Sequence, residues 1–405
     1  MIKFPKNFFW GAATSSYQVE GNNVNADWWS WEKKAGHQNS GAACRHYELY
    51  EQDFDLAHGL HHNAHRLSIE WSRIEPREGE FSQKELQHYI DVMLALRKRN
   101  IEPMVTLHHF TNPVWFSDSG GWEHRSSIEK FVRYSDFVVR GLAQHVHYWM
   151  TINEPTIYAS HAYLFGWWPP QQKSYLKTNA VYNHLLEAHI LAYGRIHKIY
   201  KELDISQPAV GIAHHMPAVI PCTPNFKNRI AVYLRERWYN FGVLDRIKNS
   251  MDFIGFNYYS RQLVHLTGWG IGNFVWDVCK ENHDPVKKNF LGWDIYPQGV
   301  YQVLLKLKRY NRPVIITENG ICTPDDNLRW EFISDHLKSI HAAIEKGVDV
   351  RGYLHWSLMD NFEWDKGFAP RFGLIDIDYQ TFKRTVRDSA RKLGEVYQEG
   401  VLGQG

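Results

Sequence analysis

Two glutamates, Glu154 and Glu318, each come at the end of a short apolar run of the sequence. The first lies in Thr-Ile-Asn-Glu-Pro (residues 151–155) and the second in Ile-Thr-Glu-Asn-Gly (residues 316–320). Proline lacks a ladder donor and glycine permits positive φ, so both glutamates fall where a strand must end. Two carboxyl groups in one pocket suit cleavage of a glycosidic bond, because one protonates the departing oxygen while the other captures the oxocarbenium-like carbon. The pair predicts this chemistry if the fold brings it together.

The elements that would position these glutamates are read from hydrophobic periodicity. Short apolar runs alternate with longer segments of helical spacing, such as residues 83–100 and 128–145. This alternation predicts an α/β fold, a single (β/α)8 TIM barrel of parallel strands. No linker or internal repeat interrupts the pattern, so one catalytic domain is expected over residues 1–405. The eight predicted strands are Phe8–Ala13, Ala64–Ile69, Pro103–Leu107, Tyr148–Ile152, Val210–Ala213, Phe253–Phe256, Val314–Thr317 and Tyr353–Trp356.

Polar residues at the carboxyl ends of the strands are the ones expected to act, because active sites of such barrels lie at that face. Glu154 follows the fourth predicted strand and Glu318 follows the seventh. These two strands face each other across a closed barrel, so the carboxylates are expected to point into one pocket although they are far apart in the chain.

Composition and charge argue against two classes of partner. Lys and Arg number 46 and Asp and Glu number 44, a formal charge of +2, which gives no electrostatic reason to expect nucleic acid or an anionic membrane. Aromatic residues make up 15% of the chain, and indole faces suit both core packing and stacking on sugar rings. No run approaches the roughly 20 apolar residues of a spanning helix, and no leader pattern opens the sequence. A cytoplasmic protein is expected, and a homo-oligomer is left open.

Cysteine and histidine spacing shows no metal or redox motif. The cysteines are far apart and form no C-x-x-C, so reduced, structural thiols are expected. Adjacent histidines, at residues 108–109 and 214–215, would point to opposite faces of a strand, and no H-E-x-x-H occurs. Neither a catalytic metal nor a cofactor is predicted. The four cysteines are Cys44, Cys222, Cys279 and Cys322.

The two glutamate segments resemble the signatures of glycoside hydrolase family 1. Four further segments resemble the same family in the same order: residues 8–21 (FFWGAATSSYQVEG), 66–73 (RLSIEWSR), 257–259 (NYY) and 356–364 (WSLMDNFEW). The resemblance therefore runs from end to end of the chain. It implies a retaining β-glycosidase that works through a covalent glycosyl-enzyme without a cofactor.

The resemblance also implies roles for individual residues. Glu154 matches the general acid/base and Glu318 the nucleophile, and Arg66 and Tyr259 match the residues that hold that nucleophile. Their positive charge and hydroxyl would favour an ionised Glu318, whereas Glu154 must be protonated when substrate binds. The positions that match the binding site of the non-reducing sugar are Gln18, His109, Asn153, Trp356, Glu363 and Trp364.

Some features bear on the substrate. Phe110 stands where the family most often has Trp, which keeps an apolar wall but loses an indole donor. Glu363 would repel a phosphate dianion, so unphosphorylated sugars are expected. Further tryptophans fall in segments that would line the outer pocket, or would simply pack in the core. They are Trp167, Trp168, Trp269, Trp276 and Trp293.

The substrate expected is a small β-glycoside or oligosaccharide with a terminal β-D-glucosyl, galactosyl or fucosyl residue. Two alternatives share the same site. A transglycosidase would pass the sugar to an acceptor other than water, and a sugar-binding barrel would have lost catalysis. The presence of both glutamates favours an active enzyme, and the sequence does not choose among sugar epimers.

Overall fold

The computed structural model describes residues 1–266, 279 and 286–403. Eight parallel strands, named β1 to β8 here, close into one barrel in which each strand pairs with its neighbours in chain order and β8 pairs with β1. The predicted TIM barrel is therefore confirmed. The strands are β1 Phe9–Ala13, β2 Ala64–Ser68, β3 Glu102–His108, β4 Tyr148–Asn153, β5 Ala209–His215, β6 Ile254–Tyr258, β7 Val314–Asn319 and β8 Val350–Trp356.

Each predicted strand corresponds to one barrel strand, and the differences lie at the ends. β5 continues through His214 and His215, and β7 continues through Glu318, where the prediction placed these polar residues after the strand. Apolar periodicity underestimates such ends because main-chain pairing continues where the pocket-facing side chains become polar. Glu318 is therefore part of β7, next to an irregularity in its pairing with β6.

The two faces of the strands bury different side chains. One face carries Val105, Ile212 and Phe256, which pack with the surrounding helices in the main core. The other carries Ala64 and Met104, which belong to a smaller cluster inside the barrel. Since side chains alternate along a strand, the residues two positions after Ala64 and Met104 also point inward. These residues are Arg66 in β2 and Thr106 in β3.

The helices lie between the strands, and several begin at caps that the sequence encodes. Ser82 accepts a hydrogen bond from the amide of Glu85 at the start of Gln83–Lys98, and Asp325 caps Asp326–Glu345 in the same way. The helices are Ser16–Val19, Asp27–Ala35, His46–Gly59, Trp71–Ile74, Gln83–Lys98, Val114–Asp118, Ser127–Leu142, Pro155–Ala159, Tyr175–Glu202, Phe226–Arg235, Phe241–Ile247, Pro297–Leu307, Asp326–Glu345 and Asp388–Glu399. Shorter turns are the 3₁₀ segments Gly121–Glu123, Lys308–Tyr310 and Trp364–Lys366 and the π-helical segments Ser160–Leu164 and Glu236–Asn240.

Among the described residues, three small sheets lie outside the barrel. Ile2–Lys3 pairs with Val401–Leu402, so the first and last described strands of the chain meet. The second sheet joins Ile375–Ile377 to Arg384–Val386. The third joins Ala218–Pro221, which follows β5, to Arg261–Val264, which follows β6. Over the described ranges, none of the helices has the length and apolar character required to cross a membrane.

The expectation of reduced thiols is wrong for two of the four cysteines. Cys222 and Cys279 form a disulfide, while Cys44 and Cys322 are free and buried. The sequence offered no sign of this pairing, because the two bonded cysteines are 57 residues apart and are brought together by the folding of the segments after β5 and β6.

Candidate active site

Glu154 lies immediately after β4, at the carboxyl face of the barrel. Its backbone is left-handed, with φ of 44°, and Pro155 occupies the first position of the short helix that follows. Because this conformation is disfavoured for a non-glycine residue, the surrounding structure must hold it in place. The carboxyl is buried, and its Oε1 accepts a hydrogen bond of 2.7 Å from Nδ2 of Asn257 in β6.

Glu318 lies opposite, near the end of β7, and is held by two donors. Arg66 in β2 donates from Nη1 to Oε1, and the Tyr259 hydroxyl donates to Oε2 at 2.6 Å. Arg66 is itself fixed, because its Nε donates to the hydroxyl of Thr106 at 2.9 Å. The buried guanidinium therefore presents a fixed positive charge to the Glu318 carboxylate.

Asn153 and Asn257 connect the two glutamates. The side-chain oxygen of Asn153 accepts from Nη2 of Arg66 at 2.7 Å and from Nδ2 of Asn257 at 3.2 Å. Asn257 Nδ2 also reaches Glu154, while its oxygen accepts from the Thr317 hydroxyl at 2.6 Å. The network spans β2, β4, β6 and β7, so closure of the barrel is what brings these groups together.

The two carboxyl groups have different electrostatic surroundings. Burial raises the pKa of Glu154 well above its usual value, and the negative charge of Glu318 raises it further. The hydrogen bond from Asn257 acts in the opposite direction but is a smaller effect. The raised pKa favours the protonated form of Glu154, whereas Glu318 faces a guanidinium and a hydroxyl donor.

Gln18 and Glu363 form the polar side of the pocket. Gln18 Nε2 donates to the Phe362 carbonyl at 2.8 Å and to Glu363 Oε2 at 3.3 Å, and its oxygen accepts from the Ser15 hydroxyl at 2.7 Å. Burial raises the pKa of Glu363 to about 8, with a further contribution from the charge of Glu318. This side therefore offers an amide and a carboxyl group to hydroxyls of a bound molecule.

His109, Trp356 and Trp364 form the aromatic part of the site. The His109 ring lies nearly parallel to both indoles, with centroids 5.8 Å from Trp356 and 6.1 Å from Trp364. His109 Nε2 is 3.3 Å from Nδ2 of Asn153, and no described residue hydrogen-bonds its buried Nδ1. Burial and the nearby Arg66 hold the pKa of His109 well below its usual value, so the ring is neutral.

Phe110 and Trp168 close one wall of the pocket. Phe110 is buried, with its ring centroid 5.0 Å from that of Trp168 and 5.3 Å from that of Trp364. The Trp168 indole donates to Asp365 at 3.0 Å. The position therefore packs as an apolar wall, which agrees with the expectation for a phenylalanine here.

The other tryptophans differ in exposure. Trp167 is 54% exposed and Trp293 is 37% exposed, and the Trp293 ring centroid lies 5.8 Å from that of Tyr259. Trp293 therefore borders the pocket on the side of Glu318. Trp269 and Trp276 lie outside the described residues.

All ten predicted site residues belong to this one region, and sequence reasoning missed three residues that support them. Asn257 hydrogen-bonds Glu154, and Thr106 hydrogen-bonds Arg66. Thr317 in turn hydrogen-bonds Asn257. The available signal was position: each lies near the carboxyl end of a predicted strand, where inward-facing polar residues are expected. Asn257 also opens the Asn-Tyr-Tyr segment that contains Tyr259.

The described part of the chain contains one group of side chains with the spacing of a metal site, formed by Cys222, His265 and Cys279. The group includes neither glutamate. The histidine pairs at residues 108–109 and 214–215 do not form such a group among the described residues.

Comparison with known proteins identifies the family. The profile of glycosyl hydrolase family 1 matches residues 1–243 and 239–400. Beta-glucosidase A of Thermotoga maritima is 32% identical over 439 residues, which cover 96% of each chain. The beta-galactosidase of Pyrococcus woesei is 28% identical over 501 residues, covering 99% of this chain and 98% of the relative. The solved beta-glycosidase of Pyrococcus horikoshii superposes with a TM-score of 0.94 at 40% identity, covering 100% of this chain and 96% of that one. The chain belongs to glycosyl hydrolase family 1 and is a glycoside hydrolase.

Proposed function

We propose that this enzyme is a retaining β-glycosidase in which Glu154 is the general acid/base and Glu318 is the nucleophile. The observation that carries this assignment is the opposite environment of two carboxyl groups in one pocket. Glu318 accepts from Arg66 and Tyr259, whereas Glu154 is buried with a neutral amide donor and its pKa is raised. A difference in pKa between the two carboxyl groups is what distinguishes an acid from a nucleophile in such a pair.

In the first step, Glu318 attacks the anomeric carbon while Glu154 gives its proton to the departing glycosidic oxygen. Formation of the ester removes the negative charge of Glu318, which is one of the causes of the raised Glu154 pKa. The pKa of Glu154 therefore falls, and Glu154, which is now ionised, acts as a base. It takes a proton from the water that hydrolyses the ester. Two inversions at one carbon give net retention.

The substrate proposed is a small β-glycoside or oligosaccharide with a terminal glucosyl, galactosyl or fucosyl residue. Gln18, Glu363 and the open Nδ1 of His109 supply polar groups for its hydroxyls. Trp356 offers an indole face for the ring. The names of the T. maritima and P. woesei relatives, a glucosidase and a galactosidase, support both epimers as candidates.

We also propose that residues 1–405 act as one catalytic unit. The barrel uses strands from Phe9 to Trp356, and its first and last flanking strands pair with each other. No part of the described chain forms a second sheet of comparable size.

Proton NMR of the first product tests the mechanism directly. A β-glucoside incubated with the enzyme should release the β-anomer first, with the α-anomer appearing only by mutarotation. Initial release of the α-anomer would show inversion and would refute the nucleophilic role of Glu318. Comparing kcat/KM on aryl β-glucosides, galactosides, fucosides and a 6-phosphoglucoside would test the substrate assignment separately.

A further inference from the structure

Three chain segments meet beside the small sheet that follows β5 and β6. Cys222 follows the strand Ala218–Pro221, and its amide donates to the Val264 carbonyl at 2.8 Å. Cys279 approaches the same strand, Arg261–Val264, and its amide donates to the Leu263 carbonyl at 2.8 Å. Both cysteines are therefore bound by their main chain to the end of this strand, and their Cα atoms lie 6.1 Å apart.

His265 comes directly after that strand and completes the group. The ligand atoms of Cys222, His265 and Cys279 all lie within 4.8 Å of one another. A Zn²⁺ ion bound to thiolates at about 2.3 Å and to imidazole at about 2.0 Å holds its ligand atoms about 3.5 Å apart in a tetrahedron. Small side-chain rotations would bring the three atoms to that separation once the sulfur–sulfur bond is open.

The main chain around Cys222 and His265 has contacts besides the disulfide. Ala218–Pro221 and Arg261–Val264 pair in register over four residues each, and Leu266 N donates to Asn228 at 3.0 Å. Val219, Ala231 and Val264 form a local apolar cluster below them. These contacts hold Cys222 and His265 together after reduction, and Cys279 keeps its main-chain hydrogen bond to Leu263, so the three ligands stay close enough for a metal to replace the bond.

We propose that Cys222, His265 and Cys279 form a zinc site in the reduced enzyme that exchanges with the disulfide in the oxidised enzyme. A dithiol or phosphine reductant supplies two electrons, the sulfur–sulfur bond opens, and Zn²⁺ takes the place of the two thiol protons. In the reverse direction a disulfide oxidant accepts the two electrons, the protein sulfurs rejoin, and Zn²⁺ is released. Three protein ligands leave a fourth position to water or another small donor.

Zinc binding by the whole enzyme tests this proposal. The protein is reduced with a phosphine, freed of reductant without oxygen, and titrated with Zn²⁺ against a chromogenic chelator. Reduced wild type should bind one ion per chain more than the double variant Cys222→Ser/Cys279→Ser, and oxidised wild type should match the double variant. The comparison subtracts binding by the other histidines, because the double variant retains all 23 of them.

His265 needs its own pair of variants. His265→Gln in the reduced enzyme should lower the affinity for this extra zinc ion by about 100-fold, because loss of a ligand costs at least as much affinity as loss of a group that orients a ligand. His124→Gln, which changes an exposed histidine elsewhere, should leave the affinity unchanged. Activity on an aryl glycoside serves as the control for folding, because the substituted cysteines and histidines are not among the residues described around Glu154 and Glu318.

Thiol protection supplies a second measurement. Zinc should slow alkylation of Cys222 and Cys279 in reduced wild type, as read by mass spectrometry of peptides, and leave the buried Cys44 and Cys322 unaffected. The proposal is overturned if reduced wild type binds no more zinc than the double variant, or if zinc leaves the alkylation rates of Cys222 and Cys279 unchanged. A purely structural disulfide gives that result.

Discussion

At the scale of single residues, Glu154 and Glu318 have the same side chain but receive different neighbours. Arg66 and Tyr259 donate to Glu318, while Glu154 has Asn257 and the negative charge of Glu318 itself. The difference is produced by the donors in β2, in β6 and at Tyr259 directly after β6, rather than by the two glutamates. Variants of the glutamates should therefore fail in different ways.

Glu318→Ala should reduce hydrolysis by roughly 10⁴-fold or more, which corresponds to about 5.4 kcal/mol of barrier. Azide or formate should restore turnover by entering the space left by the carboxylate, and azide should give the α-configured glycosyl azide because only one inversion occurs. Glu363→Ala is the matched control, since it also removes a pocket carboxyl but no nucleophile. Substantial activity without added anion, or equal rescue of both variants, would contradict the assignment of Glu318.

Glu154→Gln should depend on the leaving group, because dinitrophenolate departs without a proton while an alkyl alcohol does not. Its loss in kcat should therefore grow with the pKa of the leaving group. The pH profile gives an independent check: Glu154 acts while protonated, and its raised pKa keeps the wild type active above the usual range of a carboxyl. Activity should fall as pH rises through that pKa, and this alkaline limb should vanish in the variant with an activated substrate. An equal loss for both substrate types would exclude the acid role.

At the scale of elements, the barrel and the pairing of the two glutamates could be predicted from sequence, but the supporting contacts could not. Hydrophobic alternation places Glu154 and Glu318 at strand ends on one face of the barrel. It does not show which side chain lies across from which, and the Asn257–Glu154 bond joins residues 103 apart in the chain. The Cys222–Cys279 bond was missed for the same reason, since the loops after β5 and β6 have no periodicity that fixes their approach.

The approach of β7 to β8 gives a prediction at this scale. Gly320 follows β7, and a Cβ added there would lie 1.8 Å from the Trp356 carbonyl oxygen. Gly320→Ala should therefore lower the free energy of unfolding by about 3 kcal/mol, as overpacking does, and should reduce activity by displacing Trp356 or Glu318. Denaturant unfolding and kcat/KM measure the two effects.

Gly194→Ala is the matched control for Gly320→Ala. Gly194 lies in the interior of the helix Tyr175–Glu202, and an added Cβ there meets nothing within 4 Å. Alanine should raise the free energy of unfolding by about 0.5–1 kcal/mol because of its better helix propensity, with activity unchanged. If both variants behave alike, the close approach at Gly320 does not constrain the site.

At the scale of the whole molecule, buried titratable groups set how stability changes with pH. Several buried histidines have a pKa lowered to about 3 or 4, so below pH 6.5 the unfolded chain binds more protons and stability falls with acid. Burial raises the pKa of Glu20 and Asp27 to about 6, which makes stability fall as pH rises from about 4 to 6. The buried histidines and the two carboxyl groups therefore have opposite effects on stability in mild acid. Above pH 6.5 the carboxyl groups of the pocket still make stability depend on pH.

Glu363 gives the test of this balance. Its pKa is raised to about 8, so between its usual value and pH 8 the folded enzyme keeps a proton that the unfolded chain has lost. The free energy of unfolding therefore falls as pH rises through 8. The fall between pH 6.5 and 9 is at most about 2 kcal/mol, and solvent screening at the pocket mouth reduces it.

Glu363→Gln should flatten that decline in urea unfolding at pH 6.5, 7.5 and 9. Glu345→Gln, at a glutamate whose side chain is 68% exposed, should keep the wild-type slope. Parallel curves for wild type and Glu363→Gln would show that burial does not hold this proton, and the Glu154 carboxyl would then carry the remaining dependence.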